Sequence, residues 1–291
     1  MIIDIRYHII TLVAVFLMLG LGILIGTSMV GNETLTKQQE QLANRLEKQL
    51  NALRLENLKV QERYERVQAE REALDAFAQE VVPYAIGGRL RNMRVAVFEV
   101  GQTAPPELLD DLKTAGATVG PVVTLLNGLD VTGSATKISI DLGWPEKEAG
   151  AVATRLAGEL GRAIATGQNP SLVHYLVEER LVRVTGDSAL PVRGAVIVGA
   201  LGGGEESQRP DLALVDGLLT EGVTVVGVGS GEGAGKGIRD YQKRKISTVE
   251  DIRTPWGRIG MVLALSGQPG HYAAGAGEKR FLPPYPGGDT R

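Results

Sequence analysis

The chain opens with an unbroken apolar run, because residues 9–30 are 22 consecutive positions without a charged side chain. At about 1.5 Å per residue, a helix of this length crosses the roughly 30 Å hydrocarbon core of a bilayer. The pattern predicts a short head and a single transmembrane helix within residues 1–31. A cleaved signal peptide is the alternative interpretation, although its apolar region is normally shorter and its first residues more basic. Within the run, Gly22 and Gly26 form a G-x-x-x-G pair, which lets two helices approach closely in lipid.

A second pattern, in residues 32–82, repeats every seven positions. Residues 33–80 carry 18 charges, 8 basic and 10 acidic, and contain no glycine or proline, so nothing there breaks a helix. The repeat predicts a coiled coil of about five heptads. Its seam consists of Leu46, Leu50, Leu53, Asn57, Val60, Tyr64, Val67, Arg71, Leu74 and Ala78.

The coiled-coil seam requires a partner helix. We expect a parallel homodimer, because the transmembrane helix directly upstream would hold two copies side by side. Asn57 lies on the seam, where a buried polar residue selects register and low oligomer number while lowering stability. The alternative is a single charged helix that folds back on the C-terminal part of its own chain.

A third pattern begins after Pro83, which we expect to end the long helix, and a linker at residues 83–92. Short β-branched runs then alternate with helical stretches, which predicts an α/β domain at residues 93–266 with a mostly parallel β-sheet and helices on both faces. Residues 267–291 contain six glycines and four prolines, so we expect an irregular tail. The predicted strands are 94–100, 119–125, 181–184, 195–198 and 223–228, and the predicted helices are 105–115, 145–165, 171–179, 211–220 and 256–265.

Composition narrows the possible functions. The formal net charge is −3, from 31 basic and 34 acidic residues, which argues against a nucleic-acid partner. The chain has no cysteine, so disulfides, thiolate catalysis and zinc ribbons are excluded. It also lacks G-x-S-x-G and H-E-x-x-H motifs. Asp110 and Asp111 are neighbours on a predicted helix and point about 100° apart, a poor acid/base pair. We therefore expect a protein that is not an enzyme.

Two glycine-rich loops follow predicted strands, where an α/β sheet would bind a ligand. The loop at residues 227–237 contains Gly235 and Lys236, but Walker spacing would place Ser230 at the first glycine, so it is not a phosphate loop. The second loop lies at residues 199–206, and the G-x-G-x-x-G fingerprint of dinucleotide binding fits neither loop. No cofactor is expected, and the candidate ligand-loop residues are Gly202, Gly203, Gly204, Ser230 and Gly231.

Both ends of the chain carry extended motifs. Residues 4–27 read DIRYHIITLVAVFLMLGLGILIGT, and residues 246–272 read ISTVEDIRTPWGRIGMVLALSGQPGHY. They resemble the bacterial family named for the mycobacterial copper transport protein B, MctB. The resemblance implies a single-pass cell-membrane protein with a cytoplasmic N-terminus and an extracytoplasmic α/β domain. It also implies copper export or tolerance, and a related branch is associated with separation of daughter cells through an envelope partner or cell-wall hydrolase.

The copper function implied by this resemblance finds little support in the residues. Copper(I) prefers thiolate, thioether and imidazole ligands. Of the five methionines, Met93 and Met261 are isolated and the others lie at the N-terminus or in the apolar run, while His271 has no companion at ligand spacing. Three hypotheses follow: a membrane-tethered dimeric scaffold for envelope partners, a copper transport or homeostasis component, and a ligand- or nucleotide-binding α/β domain.

Overall fold

The computed structural model describes residues 5–201, 209–231 and 235–272, without the side chains of residues 28–35, 235–237 and 239. The chain divides into two compact units, Met1–Ala73 and Leu74–Arg291. One α-helix, α1, spans Ile5–Ile86 and supplies all of the first unit that is described. The predicted apolar N-terminal helix and long polar helix are therefore both present.

The expectation that Pro83 ends the long helix is wrong, because α1 continues through Pro83 to Ile86. Proline removes one helical hydrogen bond, which would otherwise run to the carbonyl of Gln79. Val82 and Ile86 on either side are fully buried, and the Gly87 amide donates to the Pro83 carbonyl at 3.0 Å. Packing of this last turn thus outweighs the helix-breaking tendency of proline.

In the second unit, the described residues form a seven-stranded sheet in the order β3-β2-β1-β4-β5-β6-β7. Every neighbouring pair is parallel except β2 and β3, which are antiparallel at one edge. The predicted α/β class with a mostly parallel sheet is confirmed. The strands are β1 (Arg94–Glu99), β2 (Thr118–Leu125), β3 (Val182–Thr185), β4 (Gly194–Val198), β5 (Thr224–Val228), β6 (Ser247–Val249) and β7 (His271–Tyr272).

Helices cover both faces of this sheet, as predicted. Side chains alternate along each strand, so Phe98 of β1 belongs to one buried cluster and Val97 to another. A 3-10 turn (Leu126–Leu129) follows β2. The helices are α2 (Pro106–Thr114), α3 (Ala135–Leu142), α4 (Ala149–Thr166), α5 (Pro170–Glu178), α6 (Pro210–Thr220), α7 (Gly235–Gln242) and α8 (Pro255–Leu265).

The two faces are covered by different connections. The Phe98 cluster contains residues of α3 to α7, whereas the Val97 cluster contains residues of α2, α8 and the end of α1. The chain leaves β1 toward β2 through α2 and leaves β4 toward β5 through α6, on opposite faces. The strand order therefore reverses between β1 and β4, and in open α/β sheets ligands bind outside the carboxyl ends of strands at such a point.

Candidate functional site

The apolar positions of the heptad seam are uncovered along α1. Each of them between Leu46 and Leu74 is at least half exposed, with values from 53% at Leu50 to 69% at Tyr64. A Cβ atom added to Gly22 or Gly26 would have nothing within 4 Å. The apolar seam residues of this stretch are Leu46, Leu50, Leu53, Val60, Tyr64, Val67 and Leu74, and Asn57 lies among them.

The last turns of α1, where the heptad repeat continues, are buried within the second unit. Ala78 and Val81, the next positions of the repeat, are partly buried. Val82 and Ile86 are fully buried in a cluster that includes Leu108 of α2. Packing within the second unit therefore buries the last turns of α1, from Ala78 onward.

A buried ion pair joins α2 to α8 within the second unit. The Arg258 guanidinium donates to both carboxylate oxygens of Asp111, at 2.7 and 2.6 Å, and also to the side-chain oxygen of Gln79 on α1. The Asp111 side chain is only 4% exposed. Its hydrogen bonds raise the pKa of Arg258 above its ordinary value, so the guanidinium stays charged. Asp111 therefore joins α2 to α8, and both of its carboxylate oxygens are occupied by Arg258.

The T-P-W-G-R-I-G part of the C-terminal motif builds the start of α8. The Thr254 side chain accepts a hydrogen bond from the Gly257 amide at 3.1 Å, and Pro255 occupies the first turn. Gly257 approaches the Asp251 carbonyl so closely that an added Cβ would lie 2.0 Å from that oxygen. These residues position Arg258, so the motif serves packing of α8 against its neighbours. The predicted helix is thus present from Pro255 to Leu265.

At the carboxyl edge of the sheet, the structure describes only part of the predicted ligand loops. Gly202, Gly203 and Gly204 lie outside the described residues. After β5, the Ser230 amide donates to the side chain of Gln102 at 3.0 Å, and the Gly231 amide donates to Asp251 at 3.4 Å. These two amides therefore already have partners within the chain, and their role as ligand donors stays a prediction.

A buried polar network lies beside this edge. Arg209 donates to both oxygens of Asp211, at 2.9 and 2.7 Å, and to Asp240 at 2.7 Å. Asp211 also accepts from the Leu201 amide at 3.1 Å and contacts the Tyr241 hydroxyl at 3.1 Å. Arg209 and Lys243 lower the pKa of Asp240, whereas burial and Asp211 raise that of Tyr241 well above its usual range. This network fixes the first residues after β4.

Sequence patterns did not indicate this network or the Asp111–Arg258 pair. The one sequence feature near the network is Pro210, a residue typical of the first turn of a helix, which lies between Arg209 and Asp211. Pairing of residues far apart in the chain, such as Arg209 with Asp240, depends on the sheet order rather than on any local spacing.

Soft metal ligands do not converge in the described residues. Met261 is fully buried in the core, and His174 lies beside Glu178 at 3.1 Å. Nδ1 of His271 lies 3.0 Å from the Thr248 hydroxyl. Among the residues that the structure describes, no group of three or more His, Asp or Glu side chains is placed to hold a metal ion. Methionine and histidine are ligand types that copper(I) prefers, but the structure places these three side chains against the core, a glutamate and a threonine.

The order of elements defines a class of protein with an apolar N-terminal helix, a long helix that carries exposed apolar side chains at heptad spacing, and a doubly wound α/β domain. The first part, Ile5–Thr27, has a mean hydropathy of 2.8 and is long and apolar enough to cross a membrane. The chain belongs to the family described as "Copper transport outer membrane protein, MctB", whose sequence model matches residues 2–283. The resemblance carried by the two end motifs is confirmed. A search of curated proteins found no match.

Proposed function

We propose that this protein is a membrane-anchored, non-enzymatic scaffold of the cell envelope that dimerises through the α1 seam. The observation that carries the proposal is the row of exposed apolar side chains at heptad spacing between Leu46 and Leu74. Apolar side chains repeated at heptad spacing gain free energy only when a partner helix removes them from water. A second copy of the chain would supply an identical seam and is therefore the partner that we propose.

A parallel arrangement follows from the anchor. Two copies held in one membrane by Ile5–Thr27 would present their seams in the same direction and register. Gly22 and Gly26 would allow close approach of the two membrane helices. We place the N-terminus in the cytoplasm and the α/β domain outside. A reporter that is active only outside the cytoplasm, fused after Arg291, tests this orientation, and activity of a cytoplasmic reporter alone would reverse it.

Replacing Asn57 by leucine tests the register of this dimer. In a parallel pair, the two Asn57 amides face each other, lowering stability while disfavouring oligomers in which they cannot pair. For a soluble fragment that starts at Glu33, we expect Asn57→Leu to raise the melting temperature of the coiled coil and to add trimers or larger species. Ultracentrifugation and circular dichroism measure both quantities.

The matched control is Asn51→Leu, because residue 51 lies one position after the seam residue Leu50 and faces away from it. We expect this variant to keep the oligomeric state of the starting fragment. An Asn57→Leu variant that behaves like the control in both measurements would show that the assigned register is wrong.

Partner binding is the second half of the proposed scaffold role. Two copies of the α/β domain, each attached to its own long helix, would present paired surfaces to a protein of the envelope or of cell separation. Crosslinking in cells followed by identification of the bound chain tests this role. Recovery of this chain alone under crosslinking that captures its own dimer would contradict it.

Copper transport is the second candidate function, and the description of the family favours it. Copper would then be a substrate. Because the chain offers no cysteine, five methionines and three histidines, a high-affinity copper(I) site within one chain has few ligands to draw on. A copper titration of the full chain separates the two functions, since stoichiometric binding would favour transport over the scaffold role.

A further inference from the structure

A groove away from the sheet edge lies between the loop after α3, the middle of α4 and the start of α5. Its volume is about 470 Å³, within the ~300–1,000 Å³ range of small-molecule sites. Two aromatic side chains, Trp144 and Tyr175, line it together with three polar ones, Glu159, Asn169 and Ser171. Trp144 is one of only two tryptophans in the chain.

The Trp144 ring is held in place before any ligand binds. The Arg155 guanidinium lies 4.6 Å from the ring centroid, within the distance of a cation–π contact. Glu146 fixes this guanidinium by two hydrogen bonds, at 2.7 and 2.6 Å. Arg155 is not part of the groove lining, whereas Trp144 is. An aromatic surface fixed in this way binds without the loss of side-chain freedom that usually opposes binding.

Tyr175 is fixed as well. Its hydroxyl donates to Asp141 at 2.9 Å, which joins α5 to α3 beside the groove. Lys137 of α3 donates at 2.6 Å to Glu179, the residue directly after α5, which adds a second contact beside the first. The two aromatic rings are therefore carried on elements that are tied to each other.

The polar groups of the groove are suited to hydroxyl groups. The side-chain oxygen of Asn169 accepts from the Leu172 amide at 3.3 Å, which leaves its two N–H donors for a ligand. Ser171 is exposed and offers a hydroxyl that both donates and accepts. The Glu159 carboxylate adds acceptors, because Arg162 occupies only part of its capacity at 2.8 Å.

Charge pairing indicates which kind of ligand fits. The carboxylates of Glu159 and Glu146 are each paired with an arginine, so neither a free anion nor a free cation would find an unpaired opposite charge here. A phosphorylated ligand would meet the Glu159 carboxylate, and an ammonium ligand would meet a tryptophan ring that already carries the Arg155 cation. The groove therefore offers an aromatic surface together with hydrogen-bond donors and acceptors that carry no unpaired charge.

We infer that this groove, formed around Trp144 and Tyr175, binds a neutral saccharide. The apolar C–H face of a sugar ring would pack on the indole, and its hydroxyls would bond to Asn169, Ser171 and Glu159. The site is independent of the α1 seam, so its failure would leave the proposed dimer untouched.

The test uses the full chain in lipid nanodiscs and saturation-transfer NMR with chitotriose, maltotriose and mannotriose. We expect at least one of them to bind with a dissociation constant on the order of 1 mM or tighter. Trp144→Ala should weaken that binding by about tenfold or more, whereas Trp256→Phe, which changes the tryptophan on α8, should leave it unchanged. Glucose 6-phosphate and choline serve as the charged probes and should bind more weakly.

A second variant guards against misfolding of Trp144→Ala. Ser171 is exposed, so Ser171→Arg should fill the groove without removing a core contact and should abolish saccharide binding. Three results would each overturn the inference: no saccharide binding at concentrations on the order of 10 mM, binding that both variants retain, and a preference for either charged probe.

Discussion

Replacing Asp111 by alanine should lower the free energy of unfolding of a soluble fragment starting at Glu33 by about 3–5 kcal/mol, the usual effect of removing one partner from a buried ion pair. The Arg258 side chain, which is only 17% exposed, would lose both of its charged hydrogen bonds. Gln79 would remain as a partner on α1, but it carries no charge to compensate. Urea denaturation followed by tryptophan fluorescence measures the change.

Asp110 provides a control one residue away. Its side chain is 75% exposed and pairs with Lys113 on the helix surface at 3.2 Å. Exposed pairs of this kind contribute at most about 1 kcal/mol, so Asp110→Ala should leave the unfolding midpoint nearly unchanged. Equal effects of the two substitutions would contradict the role assigned to the Asp111–Arg258 pair.

Replacing Gly257 by alanine should destabilise the same fragment by about 1–3 kcal/mol or more, because the new methyl group must move a backbone carbonyl. The added Cβ would lie 2.0 Å from the Asp251 carbonyl oxygen and 2.9 Å from the Thr254 hydroxyl, which caps α8. Relieving these contacts would shift the start of α8 and, with it, Arg258. The same denaturation measurement applies.

Gly158 on α4 is the matched control, since it is also a helical glycine whose added Cβ would face a backbone carbonyl. Its added Cβ would lie 3.6 Å from the Ala213 carbonyl, an ordinary van der Waals distance. Gly158→Ala should therefore be neutral or gain a few tenths of a kcal/mol to about 1 kcal/mol from helix propensity. A stable Gly257→Ala variant would show that the T-P-W-G-R-I-G segment tolerates a displacement of α8.

The pattern of apolar and β-branched residues predicted five of the seven strands that the structure describes but not the two short ones, β6 and β7. Strands β1 to β5 are runs rich in β-branched residues, and each end of each strand lies within one residue of its prediction. In contrast, β6 has three residues and β7 only two, too short for a periodic signal. The β7 pair lies in the segment expected to be an irregular tail, so this expectation is wrong at residues 271–272, while residues 273–291 lie outside the described part.

Helices α3 and α7 were also missed. Gly235 and Gly237 open α7 and disfavour a helix by propensity, yet Ile238 and Tyr241 are fully buried and hold it against the sheet. Packing also explains Pro83 inside α1. In each case a tertiary contact decides the local structure, and a single sequence does not display such contacts.

The candidate sites divide in the same way. Heptad spacing alone predicts the seam, because its signal is periodic along one helix. The saccharide groove had no such signal, since Trp144, Glu159 and Tyr175 come from three separate elements. The boundaries assigned to the coiled coil and linker stay predictions, although α1 itself runs on to Ile86.

Dimerisation through the seam can be measured directly because the chain has no cysteine. A single cysteine introduced by Leu53→Cys in the full chain would face its own copy across a parallel seam. A cysteine introduced by Leu55→Cys, at an exposed position two residues on, would face away. With a short bifunctional thiol crosslinker on intact membranes, we expect covalent dimers from Leu53→Cys and little from Leu55→Cys. No crosslinking at position 53, or equal crosslinking at both positions, would contradict a parallel dimer built on this seam.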